Sequence, residues 1–166
     1  MQPAKPIIVD IIKQLDPSKV LDLGCGNCKF SKIFIEKGIS VTGVDKERIA
    51  EQPENFKFIQ QDLSKFKFET KYDLIIGSGI LHFFEIKEAS NLIRKMQENT
   101  ILGGFHFLIC MSQEESNDKI HFYPNKEELN KLYFGWEIIH NHDCLSKKHG
   151  EDMHQHKIII FLAKKI

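Results

Sequence analysis

The stretch Val20-Leu21-Asp22-Leu23-Gly24-Cys25-Gly26-Asn27-Cys28 constrains this chain more than any other. A short apolar run meets an acid and then two glycines spaced by one residue. Phe30, Ile33, Phe34 and Lys37 follow at helical spacing, so the segment predicts strand, tight turn and a helix over residues 28–37. Glycine lets backbone come close to a ligand because no Cβ intervenes. The free N–H groups of the following helix point at the same place. A nucleotide-type pocket is expected here.

Two ligand classes compete for it. A dinucleotide fingerprint needs a small residue at the sixth position of G-x-G-x-x-G/A, and that position is Lys29. Asp22, two residues before the first glycine, repels a pyrophosphate but suits a ligand with a cationic end. At this point the chain resembles the class I S-adenosylmethionine-dependent methyltransferases, whose first motif reads hh[DE]xGxGxG. Asp22, Gly24 and Gly26 match it, and Cys28 replaces the third glycine. The resemblance implies S-adenosyl-L-methionine as cofactor and S-adenosyl-L-homocysteine as product. It extends over nearly the whole chain, specific in the first half and generic after residue 100.

Composition excludes several classes. At 166 residues the chain is read as one domain, residues 1–18 forming an N-terminal helix and 19–166 the core. A chain of this size buries about 70% of its unfolded surface. Lys+Arg equals Asp+Glu, so the net charge of zero disfavours a nucleic-acid partner. No apolar run approaches the roughly 18 residues of a membrane span, and the start lacks a signal peptide's pattern. Four cysteines are too few for a disulfide scaffold, so a cytoplasmic, reducing setting is expected. Cys25 and Cys28 form a lone C-x-x-C inside the glycine turn. A helix start there would lower the Cys28 thiol pKa.

Helical and strand patterns then alternate. Helices are predicted over 7–15, 28–37, 87–99 and 124–133. Strands are predicted over 19–23, 40–44, 56–60, 72–76, 105–111, 136–140 and 157–163. The expected fold is α/β, a Rossmann-like three-layer sandwich with helices on both faces of a seven-stranded, mostly parallel sheet. No helix separates the last two strands, so they form a hairpin and the last strand is antiparallel.

Ligands of such sheets bind beyond the carboxyl ends of the strands. Asp45 closes the second strand about 20 residues after the glycine turn, where an acid accepts from ribose hydroxyls. It also suits the N-cap of a helix over 46–50. By resemblance, Asp62 accepts from the adenine amino group and Leu63 offers its backbone. Asp62 equally suits a cap before Ser64. Gly77 and Ser78 end the fourth strand beneath the sulfonium. The cofactor set is therefore Asp22, Gly24, Cys25, Gly26, Asp45, Lys46, Asp62, Leu63, Gly77 and Ser78. Ser78-Gly79-Ile80-Leu81 is neither [DN]-P-P-[YFW] nor Pro-Cys, which disfavours adenine-N6, glutamine and cytosine-carbon methylation.

The acceptor side is less defined. His82 follows the fourth strand and has a pKa near working pH, making it the candidate general base. It also suits plain packing against Phe83 and Phe84. Six histidines lie past residue 120, and a hairpin loop over 143–153 overhangs the substrate side. His149, His154 and His156 are the candidate acceptor wall, and a polar hairpin is the plainer alternative. A metal or metalloid site of these histidines with Cys144 is a further alternative, but the spacing matches no zinc motif, so no metal is expected. His149-Gly150, then His154-Gln155-His156-Lys157 leading into 158–163, resembles the tail of small tellurite-resistance-type methyltransferases. The reading is a methyltransferase moving a methyl group to a small-molecule acceptor. A protein or RNA methyltransferase and a non-catalytic S-adenosylmethionine binder are the alternatives. Oligomeric state is left open.

Overall fold

A computed structural model describes residues 1, 3–47, 54–116, 118–148 and 153–166. In chain order its elements are α1 Ala4–Gln14, β1 Lys19–Leu23, α2 Lys32–Glu36, β2 Ser40–Asp45, β3 Phe56–Gln60, β4 Tyr72–Ser78, α3 Ile86–Glu98, β5 Thr100–Met111, α4 Lys126–Leu132, β6 Trp136–Leu145 and β7 Lys157–Lys165. The seven strands form one sheet in the order β3-β2-β1-β4-β5-β7-β6. Pairing is parallel from β3 through β5, and β7 runs antiparallel to both β5 and β6. The expected Rossmann-like sheet with its reversed last strand is therefore present.

Period-two alternation sorts each central strand between two cores. Leu21 and Leu23 of β1, Leu108 and Cys110 of β5, and Ile159, Phe161 and Ala163 of β7 face α3 and α4. Val20, Phe107, Ile109, Ile158, Ile160 and Leu162 share the opposite face with α1 and α2. Helix α3 joins its core through Ala89, Leu92, Ile93 and Met96, an i, i+3, i+4, i+7 stripe. Its start is closed by Glu88 Oε2, which accepts from the Glu85 N–H at 3.2 Å. Asn125 and Glu128 form the same reciprocal cap on α4, both bonds at 2.9 Å. Among the described residues no helix is long and apolar enough to cross a membrane.

Three boundaries differ from the sequence pattern by four residues or more, and the others by three or fewer. The helix expected over 28–37 shrinks to α2, because residues 26–31 form successive turns and Cys28 takes φ +58°. β6 runs five residues further than expected, to Leu145, since β7 offers it partners down to Lys157↔Leu145. The hairpin connection is thus 146–156 and not 143–153. β5 begins at Thr100, with a register shift around Gly103, whose φ is +79°.

Candidate functional site

The order of strands reverses at β1, with β2 on one side and β4 on the other, and the crevice outside their carboxyl ends is where such sheets bind ligands. A cleft of about 410 Å³ opens there, and Gly24, Asp45, Lys46, Asp62, Leu63 and Ser78 line it. Gly79, Ile80, Phe83 and Phe84 complete the described lining. The volume falls within the ordinary range for small-molecule sites.

The turn after β1 is built by long-range backbone bonds. Gly24 N–H and Cys25 N–H both donate to the Val44 carbonyl, at 2.8 and 3.2 Å. Gly24 has φ +66°, and a Cβ there would lie 2.4 Å from the Ile80 side chain, so only glycine fits. Cys28 occupies the third glycine's place in the same left-handed conformation. This carries the strain of a non-glycine residue there, of order 1–2 kcal/mol. Asp45 ties the turn to β2: Oδ2 accepts from Gly26 N–H at 2.8 Å and Oδ1 from Glu47 N–H at 3.0 Å. Each oxygen keeps a second lone pair for a ligand in the cleft. Asp62 Oδ1 caps the turn over 63–65 by accepting from Ser64 N–H and Ser64 Oγ, at 2.8 and 2.7 Å. These two bonds, the hydroxyl's first, hold its carboxyl below the usual range. The capping role is therefore present, and the same side chain lines the cleft. The helix once expected over 46–50 falls largely on positions outside the described residues.

Four members of the candidate cofactor set sit behind or beside the lining. Asp22 is 2% exposed beneath the turn, Cys25 is 6% exposed and Gly77 is buried, while Gly26 meets Asp45 through its backbone. Burial pushes the Asp22 carboxyl up to about 7, a hydrogen bond from Ser31 pulls the other way, and the Asp45 charge adds to the rise. Burial followed by the Asp22 charge also raises the Cys28 thiol. The lowered thiol expected of a helix start is thus corrected: the helix begins four residues later, and an acid lies behind the sulfur.

The residues expected on the acceptor side follow β4 or belong to the β6–β7 connection. His82 is half-buried, its ring 4.2 Å from Phe83 and 5.8 Å from Tyr123 between centroids. Its Nδ1 is buried with no hydrogen-bond partner among the described residues. Burial first, then His121 and His156, lower its pKa, so the ring is neutral at pH 7. Segments 84–86 and 120–122 are zipped together by Phe122 N–H to Phe84 O at 2.9 Å and Ile86 N–H to Ile120 O at 3.1 Å. Asp118 closes this flap by accepting from Ile120 N–H at 2.7 Å and pairing with His121 Nδ1 at 2.6 Å. His154 and His156 lie together, their Nε2 atoms 3.2 Å apart. His149 lies outside the described residues. Cys144 is fully buried in the core under α1.

A family profile described as "Tellurite resistance protein TehB" matches residues 1–165. The chain belongs to the TehB family. A Haemophilus influenzae (strain 10810) relative, described as a probable S-adenosyl-L-methionine-dependent methyltransferase TehB, is 26% identical over 163 residues, covering 91% of this chain and 57% of the relative. The chain thus spans little more than half the length of that relative. The crystal structure of TehB from Haemophilus influenzae superposes with a TM-score of 0.80 at 24% identity, over 97% of this chain and 62% of that one. A Burkholderia thailandensis 1,6-didemethyltoxoflavin-N1-methyltransferase, solved with 1,6-didemethyltoxoflavin and S-adenosylhomocysteine, superposes with a TM-score of 0.73 at 17% identity, over 98% of this chain and 76% of that one.

Several residues of this TehB-family chain carry no signal in the sequence. Glu115 sits in a polar stretch that reads as a loose loop, yet Oε1 accepts from Lys157 N–H at 2.8 Å and Oε2 pairs with His156 Nδ1 at 2.9 Å. Burial works to raise this carboxyl, but Lys157 N–H and His156 outweigh it and hold it low. Tyr123, its ring 5.8 Å from that of His82, is likewise visible only once the flap is in place.

Proposed function

We propose that this chain transfers a methyl group from S-adenosyl-L-methionine to a small-molecule acceptor. The observation that carries the reading is the placing of Asp45. It lines the cleft at the strand-order switch while both of its oxygens hold backbone N–H groups, so a carboxylate is presented rigidly where a ribose diol binds. The remaining lining fits a ligand without phosphate and with a positive end: Asp62 and Ser78 offer acceptors, and Lys46 is the one cation among the described lining residues. The methyltransferase names of the TehB relatives, and the small substrate held by the toxoflavin-precursor enzyme, support the same reading.

When bound, the cofactor supplies a methyl group on positive sulfur, and its displacement leaves S-adenosylhomocysteine. The chain's part is alignment and exclusion of water. Asp45 and Asp62 would hold the nucleoside end, the turn at Gly24 and Gly26 with Asp22 behind it would receive the amino-acid end, and Ser78 would lie toward the sulfur. Phe83 and Phe84 dry the cleft. For an acceptor bearing a proton, His82 is the general base; its neutral ring takes the proton as the new bond forms. A cytoplasmic, reducing setting belongs to the same proposal, and the four cysteines are free thiols.

Calorimetric titration of S-adenosylmethionine, S-adenosylhomocysteine and NAD into wild type and Asp45→Ala tests the cofactor. Micromolar binding of the first two, lost in the variant and absent for NAD, is expected. Failure of both sulfur ligands to bind wild type would overturn the reading. His82→Ala is expected to slow turnover of a protonated acceptor by about 10²-fold while leaving cofactor affinity unchanged. Loss of affinity in step with turnover would make His82 a packing residue instead.

A further inference from the structure

We propose that the cavity between α1 and β6 is a second ligand site, built for a small organic ammonium ion, a protonated primary amine on a short apolar body. The cavity measures about 500 Å³, within the ordinary range for small-molecule sites. Helix α1 lines it with Ile7, Asp10, Ile11 and Gln14, and β6 with His140, His142 and Asp143. It shares no described lining residue with the cofactor cleft.

A bulge makes the β6 side of this cavity. Ile138 pairs with Ala163 and His140 with the adjacent residue of β7, Leu162, so Ile139 is an extra residue. Ala163 faces α3 and α4, whereas Leu162 faces α1 and α2. The bulge therefore turns His140, and His142 after it, to the α1 face, where an unbroken register would have put Ile139. That isoleucine is left at the surface, 40% exposed. Asn141, between the two histidines, turns the other way and donates to the Lys126 carbonyl and Asn130 Oδ1 of α4, at 3.0 and 2.9 Å. Re-aiming of side chains is what such bulges do. Helix α1 meets the two imidazoles with one stripe, since Ile7, Asp10, Ile11 and Gln14 stand at i, i+3, i+4 and i+7. A helix packed shut on β6 would be apolar at all four positions.

The polar groups of the lining select the ligand. His140 Nδ1 is buried with no hydrogen-bond partner among the described residues. Burial first, then His142, lower the His140 pKa, so the ring is neutral at pH 7 and has a lone pair to offer. Asp10 adds a carboxylate and Gln14 an amide oxygen. Asp143 is already paired with Lys126 Nζ at 2.5 Å, and no lysine or arginine stands among the described lining residues. The cavity thus disfavours an anion. Among the described residues no group of three or more His, Cys, Asp or Glu side chains is placed to hold a metal, so the cation it suits is an organic one. The three N–H donors of a primary ammonium match Asp10, Gln14 and His140 as acceptors. Ile7, Ile11 and the two imidazoles, 5.5 Å apart between centroids, receive the apolar body.

The test titrates benzylammonium, benzyl alcohol and benzoate into the full chain by calorimetry, with the histidine ring protons followed by NMR. Benzylammonium is expected to bind at one site and to shift the His140 and His142 signals. The neutral and anionic analogues are expected to bind more weakly by about tenfold or more. Asp10→Asn is expected to weaken benzylammonium binding by about tenfold or more, the worth of a hydrogen bond to a charged group. His140→Phe keeps a ring without the nitrogen and is expected to weaken it by about three- to tenfold. Urea midpoints certify the fold of each variant. Asp45→Ala, and saturation of wild type with S-adenosylhomocysteine, are expected to leave benzylammonium binding unchanged, which separates this site from the cofactor cleft and from the methyltransferase reading. Absence of benzylammonium binding, equal binding of benzyl alcohol, displacement by S-adenosylhomocysteine, or binding that survives Asp10→Asn and His140→Phe together would overturn the site and reduce the cavity to a packing gap beside the bulge.

Discussion

Asp22 holds its proton more tightly in the fold than in the unfolded chain, at about 7 against 3.8. Between those values the folded state carries a proton that the unfolded state has lost, so this residue's contribution makes stability fall as pH rises from about 4 to about 7, and it is flat above. A cationic ligand end reverses the local balance by favouring the carboxylate. Cofactor binding is therefore expected to release a proton near neutrality and to tighten as pH rises through 7. Asp22→Asn is expected to raise the stability of the ligand-free chain at about pH 8 and to flatten that part of its pH profile. It should also weaken cofactor binding and abolish the proton release. Calorimetry in buffers of different ionisation enthalpy, with urea midpoints at several pH values, measures both. An Asn variant that keeps the wild-type proton release would show that Asp22 does not meet the ligand. The acid is legible in the sequence as part of a motif. Its 2% exposure is not, because burial depends on Ser31 and the turn folding over it.

At the scale of elements, the bounds of β1 and β3 are those read from the sequence, since a short apolar run bounded by turn residues has few alternatives. The start of α2 was not legible. Apolar spacing at Phe30, Ile33 and Phe34 is compatible with an earlier start, and only the φ of Cys28 shows that the chain stays in turns until Lys32. The tie between β5 and the end of α4 was equally hidden. His106 is fully buried between Thr100 Oγ1 and Tyr133 Oη, both at 2.7 Å. Thr100 Oγ1 donates to the Met96 carbonyl at 2.7 Å, so it accepts from His106 Nε2–H, and His106 Nδ1 accepts from the tyrosine hydroxyl. Burial foremost drives the imidazole pKa down to about 3 from 6.5. The folded value lies below the unfolded one, so this contribution is complete above pH 6.5 and is lost as pH falls toward 3. His106→Leu strands the buried Tyr133 hydroxyl, while Thr100 Oγ1 keeps its bond to the Met96 carbonyl, and is expected to cost roughly 1–3 kcal/mol at neutral pH. It should also reduce the slope of stability between about pH 6 and 4. Urea denaturation across that range checks both, and an unchanged slope would rule out His106 as the titrating group.

For the whole molecule, alternating helix and strand patterns were enough to predict a covered, mostly parallel sheet, but the order of its strands appears only in the structure. Periodicity says which face a residue takes and nothing about which strand lies beside it. That Gly24, Asp45, Asp62 and Ser78 line one cleft follows from each standing at or just past a strand end, a placing the sequence pattern carries. The surroundings of the late histidines were not legible, because contacts such as Glu115 with His156, 41 residues apart, are encoded in no local pattern. The strand order also bears on when the cleft comes into being during folding. β1 meets β2 through Val20 and Val41, a short loop, but it meets β4 through Val20 and Leu74, with β2 and β3 lying between them in the chain. Contacts of greater sequence separation carry the larger loop-closure cost. An intermediate holding only β1, β2 and β3 owns Asp45 and Asp62 but lacks Ser78, Gly79 and Ile80. Such a chain has one wall of its pocket, and no ligand can be enclosed before the long loop shuts.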